Sequence, residues 1–228
     1  MRLSSVCLSL GLLAGLVPGA ASAQSLFTVT GTGEAAAKPD MAIITVGVEH
    51  RAESAEAALD AVSAGLAPVI EQLRAAGIPA ADIQTSGLRL DAQMNYEVTP
   101  PEQTGFVAGS TLTVRIEGVE GTGELIDELV GEGANQLYGI SFGLSDSAAA
   151  LEEARRAAVA DARERAELYA EALGVTLGPI AGFSEGGGMG GGPVPVPEMR
   201  MMDAGSMPVA GGELSVSASV TISWVIEE

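Results

Sequence analysis

Residues 139–143 match the G-x-S-x-G pattern that surrounds the nucleophilic serine of many hydrolases, with Ser141 at its centre. Such a serine sits on a sharp turn between a strand and a helix, and an acid and a histidine follow it in the chain. Here Ser141 falls inside an alternating apolar segment, and the only histidine, His50, precedes it. We therefore expect an ordinary strand hydroxyl at Ser141, a surface residue at a turn at His50, and no enzymatic activity. A hydrolase that depends on Ser141 is kept as an alternative function.

Four glutamates, Glu120, Glu124, Glu128 and Glu132, recur at every fourth position and predict an acidic stripe along one helix. Carboxylates in a single row cannot surround Ca²⁺ with the six to eight oxygen ligands that this ion takes, so we expect a solvated helix face. A divalent ion or a cationic partner bound to the stripe is the alternative, because like charges at this spacing destabilise a helix slightly.

Methionines crowd the segment 185–212, which is otherwise rich in Gly and Pro and has no periodicity. Thioether sulfurs are soft ligands that suit Cu(I), which makes Met199, Met201, Met202 and Met207 weak candidates for a copper site. Flexible Met-rich segments also serve as adaptable contact surfaces or as oxidisable side chains. We expect a mobile loop without a ligand and predict no cofactor.

The first residues predict where the protein works. Residues 1–23 combine the cation of Arg2, an apolar run over residues 8–17 and the small-residue triplet that ends at Ala23, as a cleavable secretory signal does. We expect cleavage after Ala23, which also removes Cys7, the only cysteine. The sequence thus predicts a periplasmic protein without a transmembrane segment, with association to the outer membrane as a further option.

The charge balance excludes several partners. The chain has 30 acidic residues against 11 basic ones and a formal net charge of −19. Nucleic acids and anionic lipid surfaces would repel such a protein, because both are bound through Lys and Arg that neutralise phosphate. The sequence does not identify a protein or small-molecule partner.

Alternation with period two predicts strands that each bury one face. It is clearest over residues 214–224 and recurs at residues 106–116 and 138–144, where Tyr138, Ile140 and Phe142 share a face; shorter candidates are residues 27–30, 41–49, 83–90 and 179–184. One polar face per strand favours antiparallel pairing.

Three segments have the spacing of amphipathic helices. The predicted inner faces are Ala58, Val62, Leu66, Val69, Leu73 and Ala76 for residues 54–76; Leu125, Leu129 and Val130 for residues 120–132; and Leu151, Ala154, Ala158, Ala162, Ala166, Tyr169 and Leu173 for residues 147–173. Pro68 should kink the first helix or divide it into two. The alanines of the third should let it approach a sheet closely, and on its outer side Asp161 and Arg165 should form an i,i+4 ion pair. The fold class is therefore α+β: a mainly antiparallel sheet covered by about three helices, with a long Gly/Pro/Met-rich loop before the last strand.

Several strings, in their order and spacing, resemble the SIMPL-domain family of bacterial exported proteins. They lie at residues 29–35, 39–48, 77–85, 105–114, 137–146 and 212–224. The resemblance implies a periplasmic or envelope-associated α+β protein that forms homo-oligomers and is linked to stress defence, and it supplies no catalytic residues. We expect a signal peptide (1–23) and a single domain (24–228) with a flexible loop at 185–212.

These observations favour a non-enzymatic envelope protein that self-assembles through exposed sheet edges and has a structural or oxidative-stress-protective role. The alternative is a periplasmic binding module for a metal cation, with copper held by the Met-rich loop, or for a small ligand.

Overall fold

The computed structural model describes residues 25–186, 194–196 and 209–227. Over these ranges the chain forms eight strands and three helices. The strands are β1 (Leu26–Ala37), β2 (Met41–Ala52), β3 (Ile83–Asn95), β4 (Glu102–Glu117), β5 (Gln136–Gly143), β6 (Thr176–Glu185), β7 (Val194–Val196) and β8 (Glu213–Glu227). The helices are α1 (Ala55–Ala75), α2 (Thr122–Gly131) and α3 (Ala148–Leu173). The predicted α+β class with mainly antiparallel pairing is confirmed.

The strands divide into two antiparallel sheets, which the sequence did not predict. The first sheet has the order β1-β8-β6, with β7 also paired to β8, and the second has the order β3-β4-β2-β5. The chain leaves the first sheet after β1 and returns to it after β5. The crossing from β1 to β2 falls at Pro39, which has no backbone N–H to continue a ladder. The single-domain prediction for residues 24–228 stays a prediction.

Helix α3 packs on the first sheet at very short range. Its buried residues recur at every fourth position, and they are all alanine: Ala154, Ala158, Ala162, Ala166 and Ala170. The alanines face glycines of β1, and a Cβ atom placed on Gly33 would lie 2.2 Å from the backbone oxygen of Ala154. The close approach predicted from the small residues is therefore confirmed. The buried side chains of β8, among them Ile222 and Trp224, complete this core.

Helices α1 and α2 cover one face of the second sheet. Ser54 caps α1, since its Oγ accepts a hydrogen bond from the N–H of Ala57 at 3.2 Å. Pro68 lies within one continuous helix, so the division into two helices is wrong. The core below the helices consists of fully buried aliphatic side chains, including Ile44, Val46, Val69, Leu73, Leu112, Ile126 and Leu129.

Three predicted inner-face residues on α2 and α3 are exposed. Val130 is 57% exposed, because the buried stripe of α2 runs through Leu125, Ile126 and Leu129. Tyr169 and Leu173 are 48% and 67% exposed. The stripe of α3 keeps a strict spacing of four through Ala170, and these two larger residues lie outside it.

Two further predictions of burial were wrong at the ends of elements. Ala76 is exposed, because α1 ends at Ala75 and the buried stripe stops at Leu73. Tyr138 is 58% exposed, whereas Ile140 on the same predicted face packs against the core. A register shift between β2 and β5 lies next to Gly139, whose φ is 152°, and it breaks the alternation there.

Candidate functional site

Ser141 lies inside strand β5, as the sequence predicted. Its backbone partner is Ile43 of β2, seven residues before His50 on the same strand. Seven residues of strand span about 23 Å, so the imidazole of His50 lies far outside hydrogen-bonding distance of the Ser141 hydroxyl. The structure does not bring these two residues together as a nucleophile and its base.

His50 does not lie at a turn, which corrects the sequence prediction. Strand β2 continues to Ala52 because its pairing with β4 extends as far as Phe106. His50 is half-buried on this extension, and its Nε2 atom lies 3.1 Å from the position that a Cβ atom would take on Gly65 of α1. The missing side chain at Gly65 therefore makes room for the imidazole beneath the helix.

The acidic stripe borders a cleft at one end of the second sheet. Glu120, Glu124 and Glu128 line a cavity of about 480 Å³, together with Asp82, Glu117 and the one cation Arg115. Arg115 Nη1 lies 3.5 Å from Asp82 Oδ1, and Gln72 Nε2 donates a hydrogen bond to Glu128 at 2.8 Å. The predicted stripe of four glutamates on one helix is wrong in extent, because α2 begins at Thr122, after Glu120, and ends at Gly131, before Glu132. Only Glu124 and Glu128 lie on the helix, and Glu132 is outside the cleft lining. Within the described ranges, no three His, Cys, Asp or Glu side chains are grouped so that they could hold a metal ion.

A second cavity, of about 680 Å³, lies around Asp40 and shares Asp82, Arg115 and Glu117 with the first. The carboxylate of Asp40 accepts two hydrogen bonds from Ser145, one from its backbone N–H and one from its hydroxyl, both at 2.6 Å. These bonds favour the ionised form and hold the pKa of Asp40 below its usual value. The sequence reasoning gave Asp40 no role, because its partner is 105 residues away in the chain.

Both chain crossings between the sheets meet at Asp40. The residue follows Pro39 in the first crossing, and Ser145 belongs to the second. The backbone N–H of Asp40 also donates to Gly143 O at 3.1 Å, and its carbonyl accepts from Gly118 N at 2.6 Å. Every polar group of Asp40 is hydrogen-bonded, so the residue links the two crossing segments and has a structural role.

The weak copper candidates Met199, Met201, Met202 and Met207 lie outside the described residues, as does the predicted signal peptide of residues 1–23. Within the predicted loop of residues 185–212, β7 pairs with β8 over Val194–Val196. The copper site and the signal peptide remain predictions.

The outer edge of β1 is covered by two side chains of α3. Asp161 Oδ2 accepts a hydrogen bond from the backbone N–H of Thr32 at 2.8 Å, and Arg165 Nη1 donates to the backbone oxygen of Thr30 at 3.4 Å. Asp161 and Arg165 also form an ion pair at 2.9 Å, which the sequence predicted as an i,i+4 pair. Because these groups occupy the backbone positions that a further strand would need, β1 is a blocked edge.

Strand β2 is protected by Asn135 next to the start of β5. The side-chain oxygen of Asn135 accepts from the backbone N–H of Glu49 at 2.8 Å, and its amide nitrogen donates to the Glu49 carbonyl at 2.9 Å. The side chain thus imitates one more residue of strand and satisfies a backbone pair that would otherwise face solvent.

The outer edge of β3 has no comparable cover among the described residues. Strand β3 pairs with β4 on one side only, and it pairs in regular register over residues 87–93. Leu88 and Leu90 lie on the face that α1 covers further along the sheet, since Leu90 is opposite Ala108 and Ala108 packs against α1. The two leucines are nevertheless 71% and 41% exposed. A long edge strand with exposed leucines and no cover among the described residues is a template for pairing with another chain.

The model of the SIMPL family, described as a protein of unknown function (DUF541), matches residues 27–224. This chain belongs to the SIMPL family. The match extends from β1 to β8 and so includes both sheets.

Two relatives of this SIMPL protein cover most of its length. The "26 kDa periplasmic immunogenic protein" of Brucella melitensis is 33% identical over 212 residues, which are 87% of this chain and 84% of that protein. The "Uncharacterized protein YggE" of Escherichia coli K12 is 27% identical over 225 residues, which are 93% of this chain and 87% of that protein. In the part of the chain that the structure describes, none of the helices is long and apolar enough to cross a bilayer.

Proposed function

We propose that this SIMPL protein is an exported, periplasmic and non-enzymatic protein that self-assembles through uncovered sheet edges, in a structural or oxidative-stress-protective role. The export part is supported by the signal-like pattern of residues 1–23 and by the Brucella relative, which is named as periplasmic. N-terminal sequencing of the protein from a periplasmic extract should begin at Gln24. Met1 as the first residue would contradict export by cleavage.

The proposed self-assembly is supported by a difference between the sheet edges: side chains cover some of them and leave β3 open. Asp161 and Arg165 block the outer edge of β1, and Asn135 covers the part of β2 that extends beyond its pairing with β5. Natural proteins cover edges in this way to prevent pairing between chains. The exposed leucines of β3 show the opposite arrangement, because Leu88 and Leu90 add apolar side chains to unpaired backbone. An edge left in this state is what a protein that pairs with other chains requires.

Light scattering after size exclusion tests the assembly directly. The exported protein should have a mass of at least two chains, and Leu88→Lys on the uncovered edge should shift the mass toward one chain. Leu26→Lys is the matched control, because Leu26 is a similarly exposed leucine (54%) on the blocked strand β1. A wild-type protein of one-chain mass at micromolar concentration would refute the assembly.

The protective role requires a cellular test. A strain without this protein should survive hydrogen peroxide less well than its parent, and the wild-type gene should restore survival. Leu88→Lys should fail to restore it while Leu26→Lys succeeds, since protection is proposed to depend on assembly. Equal survival of the deletion strain and its parent would remove the stress-protective role.

A second candidate function is the binding of a cationic small molecule in the cleft beside α2. The observation that favours it is that Glu120, Glu124 and Glu128 face Asp82 and Glu117 across one cavity with Arg115 as its single cation. Titration with spermidine should give heat that is lost in a variant with Glu124→Gln and Glu128→Gln. Equal heat from that variant would remove the cleft as the site. The copper alternative is tested by titrating Cu(I) into the wild type and into a variant without residues 187–208 and comparing the heat of binding.

A further inference from the structure

Strand β3 has a charge pattern that is complementary to itself. Leu90 is flanked by Arg89 and Asp91, so residues 88–92 read apolar, positive, apolar, negative, apolar. In an antiparallel pair of two such strands with a two-fold axis through Leu90, Arg89 of each copy lies opposite Asp91 of the other. Cross-strand pairs of opposite charge stabilise a sheet, whereas like charges in this position destabilise it.

We propose that a second copy of this chain pairs antiparallel with β3 in this register, with Leu90 opposite Leu90. The inference rests on the proposed self-assembly and names its partner strand and register. It joins two four-stranded sheets into one continuous sheet across an isologous interface. Leu88 and Leu90 of both copies then cover one another on the face that α1 leaves open.

The other edges that no described residue covers fit a partner strand less well. Strand β5 has eight residues and a register shift next to Gly139. Strand β6 contains Pro179 and two register shifts against β8. Such interruptions break the row of backbone groups that a partner strand must meet. Strand β3 offers the longer uninterrupted register, from Gly87 to Gln93.

The charge of β3 is compatible with pairing of two copies, although it does not distinguish β3 from β5, which carries no charged residue. Two copies of a chain with a formal net charge of −19 repel each other, so contact is least unfavourable where the local charge is near zero. Strand β3 carries one cation and one anion and is neutral. The guanidinium of Arg89 already pairs with Glu49 across the sheet, and it has further N–H donors for Asp91 of a second copy.

Cysteine cross-linking tests the register, because Cys7 is the only cysteine and the proposed cleavage after Ala23 removes it. Directly opposed residues of antiparallel strands have Cα atoms about 4.5–5.5 Å apart, which suits a disulfide. Leu90→Cys should therefore give about fivefold or more disulfide-linked dimer than Leu88→Cys after oxidation with glutathione disulfide. In the proposed register the two copies of residue 88 are about 13 Å apart, too far for a disulfide.

A mixed experiment and a charge reversal complete the test. Leu88→Cys mixed with Ala92→Cys should give a mixed dimer, because these positions oppose each other. Asp91→Arg should leave the circular dichroism spectrum unchanged and should weaken self-association about tenfold. Equal cross-linking at positions 88 and 90, or an Asp91→Arg variant that assembles like the wild type, would overturn the proposed register.

These outcomes separate this inference from the proposed function. If light scattering gives a mass above one chain while Leu90→Cys fails to cross-link, self-assembly stands and the β3 register is wrong. If the wild type has the mass of one chain, both fail.

Discussion

The close packing of α3 on β1 allows one perturbation to be worked out in detail. In Gly33→Ala, the new Cβ would lie 2.2 Å from the backbone oxygen of Ala154 and 2.3 Å from the backbone nitrogen of Ala158, where ordinary contacts begin at 3.4 Å. Both neighbours are backbone atoms of one helix, so α3 must move away as a unit by about 1 Å. Overpacking of this kind typically costs about 1–3 kcal/mol.

The cost should appear as a lower melting temperature. For a chain of about 200 residues, each kcal/mol lowers Tm by about 2–4 °C, so Gly33→Ala should melt about 2–12 °C below the wild type. Gly182→Ala in the same sheet is the matched control, because its Cβ would meet only the side chain of Ser223 at 3.7 Å. Differential scanning calorimetry of both variants gives the two melting temperatures for this comparison. Equal melting of Gly33→Ala and Gly182→Ala would refute the close packing.

Three further predictions concern single side chains. Asp40→Asn should melt below the wild type at neutral pH. Because folding lowers the pKa of Asp40, its carboxylate stabilises the protein above the usual value of 3.8, and this stabilisation is lost as the pH falls through the folded pKa. The two proteins should therefore have the same melting temperature in acid. A difference in melting temperature that persists in acid would contradict this. Ile44→Ala, at a fully buried position, should cost about 2–5 kcal/mol in urea denaturation, whereas Leu26→Ala at an exposed one should cost under about 0.5 kcal/mol. Ile126→Ser should destabilise the protein far more than Val130→Ser, and equal effects would mean that the buried face of α2 is misassigned.

The strands and helices with unbroken periodicity were predictable from the sequence. Strand β8 alternates without a fault, so that its buried residues Leu214, Val216, Val220, Ile222 and Trp224 all lie on the predicted face. Helix α3 was predicted to within one residue at its start, because its alanines repeat at every fourth position. The spacing of apolar residues along the chain decides which face of these elements is buried, and this spacing can be read directly from the sequence.

Features set by distant pairing could not be predicted in this way. The first sheet depends on β1 meeting β8, which places Leu26 opposite Val225. The exposed Tyr138 depends on a register shift that only the partner strand reveals. His50 was placed at a turn because nothing local shows that β2 continues to pair with β4 beyond it.

The candidate surfaces show the same limit. The spacing of the glutamates correctly placed Glu124 and Glu128 on one helix, but the other acidic residues of the cleft, among them Asp82 and Glu117, come from outside α2. The pairing of Asp161 with Arg165 was predicted, whereas their contact with the edge of β1 was not, since Thr32 is 129 residues away. A sequence shows which side chains are available to cover an edge, and the fold decides which edge they cover.

Amide hydrogen exchange at two protein concentrations would test self-assembly through an uncovered edge most directly. Exchange of the amides in residues 87–93 should slow markedly between about 1 μM and about 100 μM protein, as copies associate by mass action. The amides of β1, whose edge α3 already covers, should exchange equally at both concentrations. If exchange in residues 87–93 does not depend on concentration, β3 is not an assembly edge.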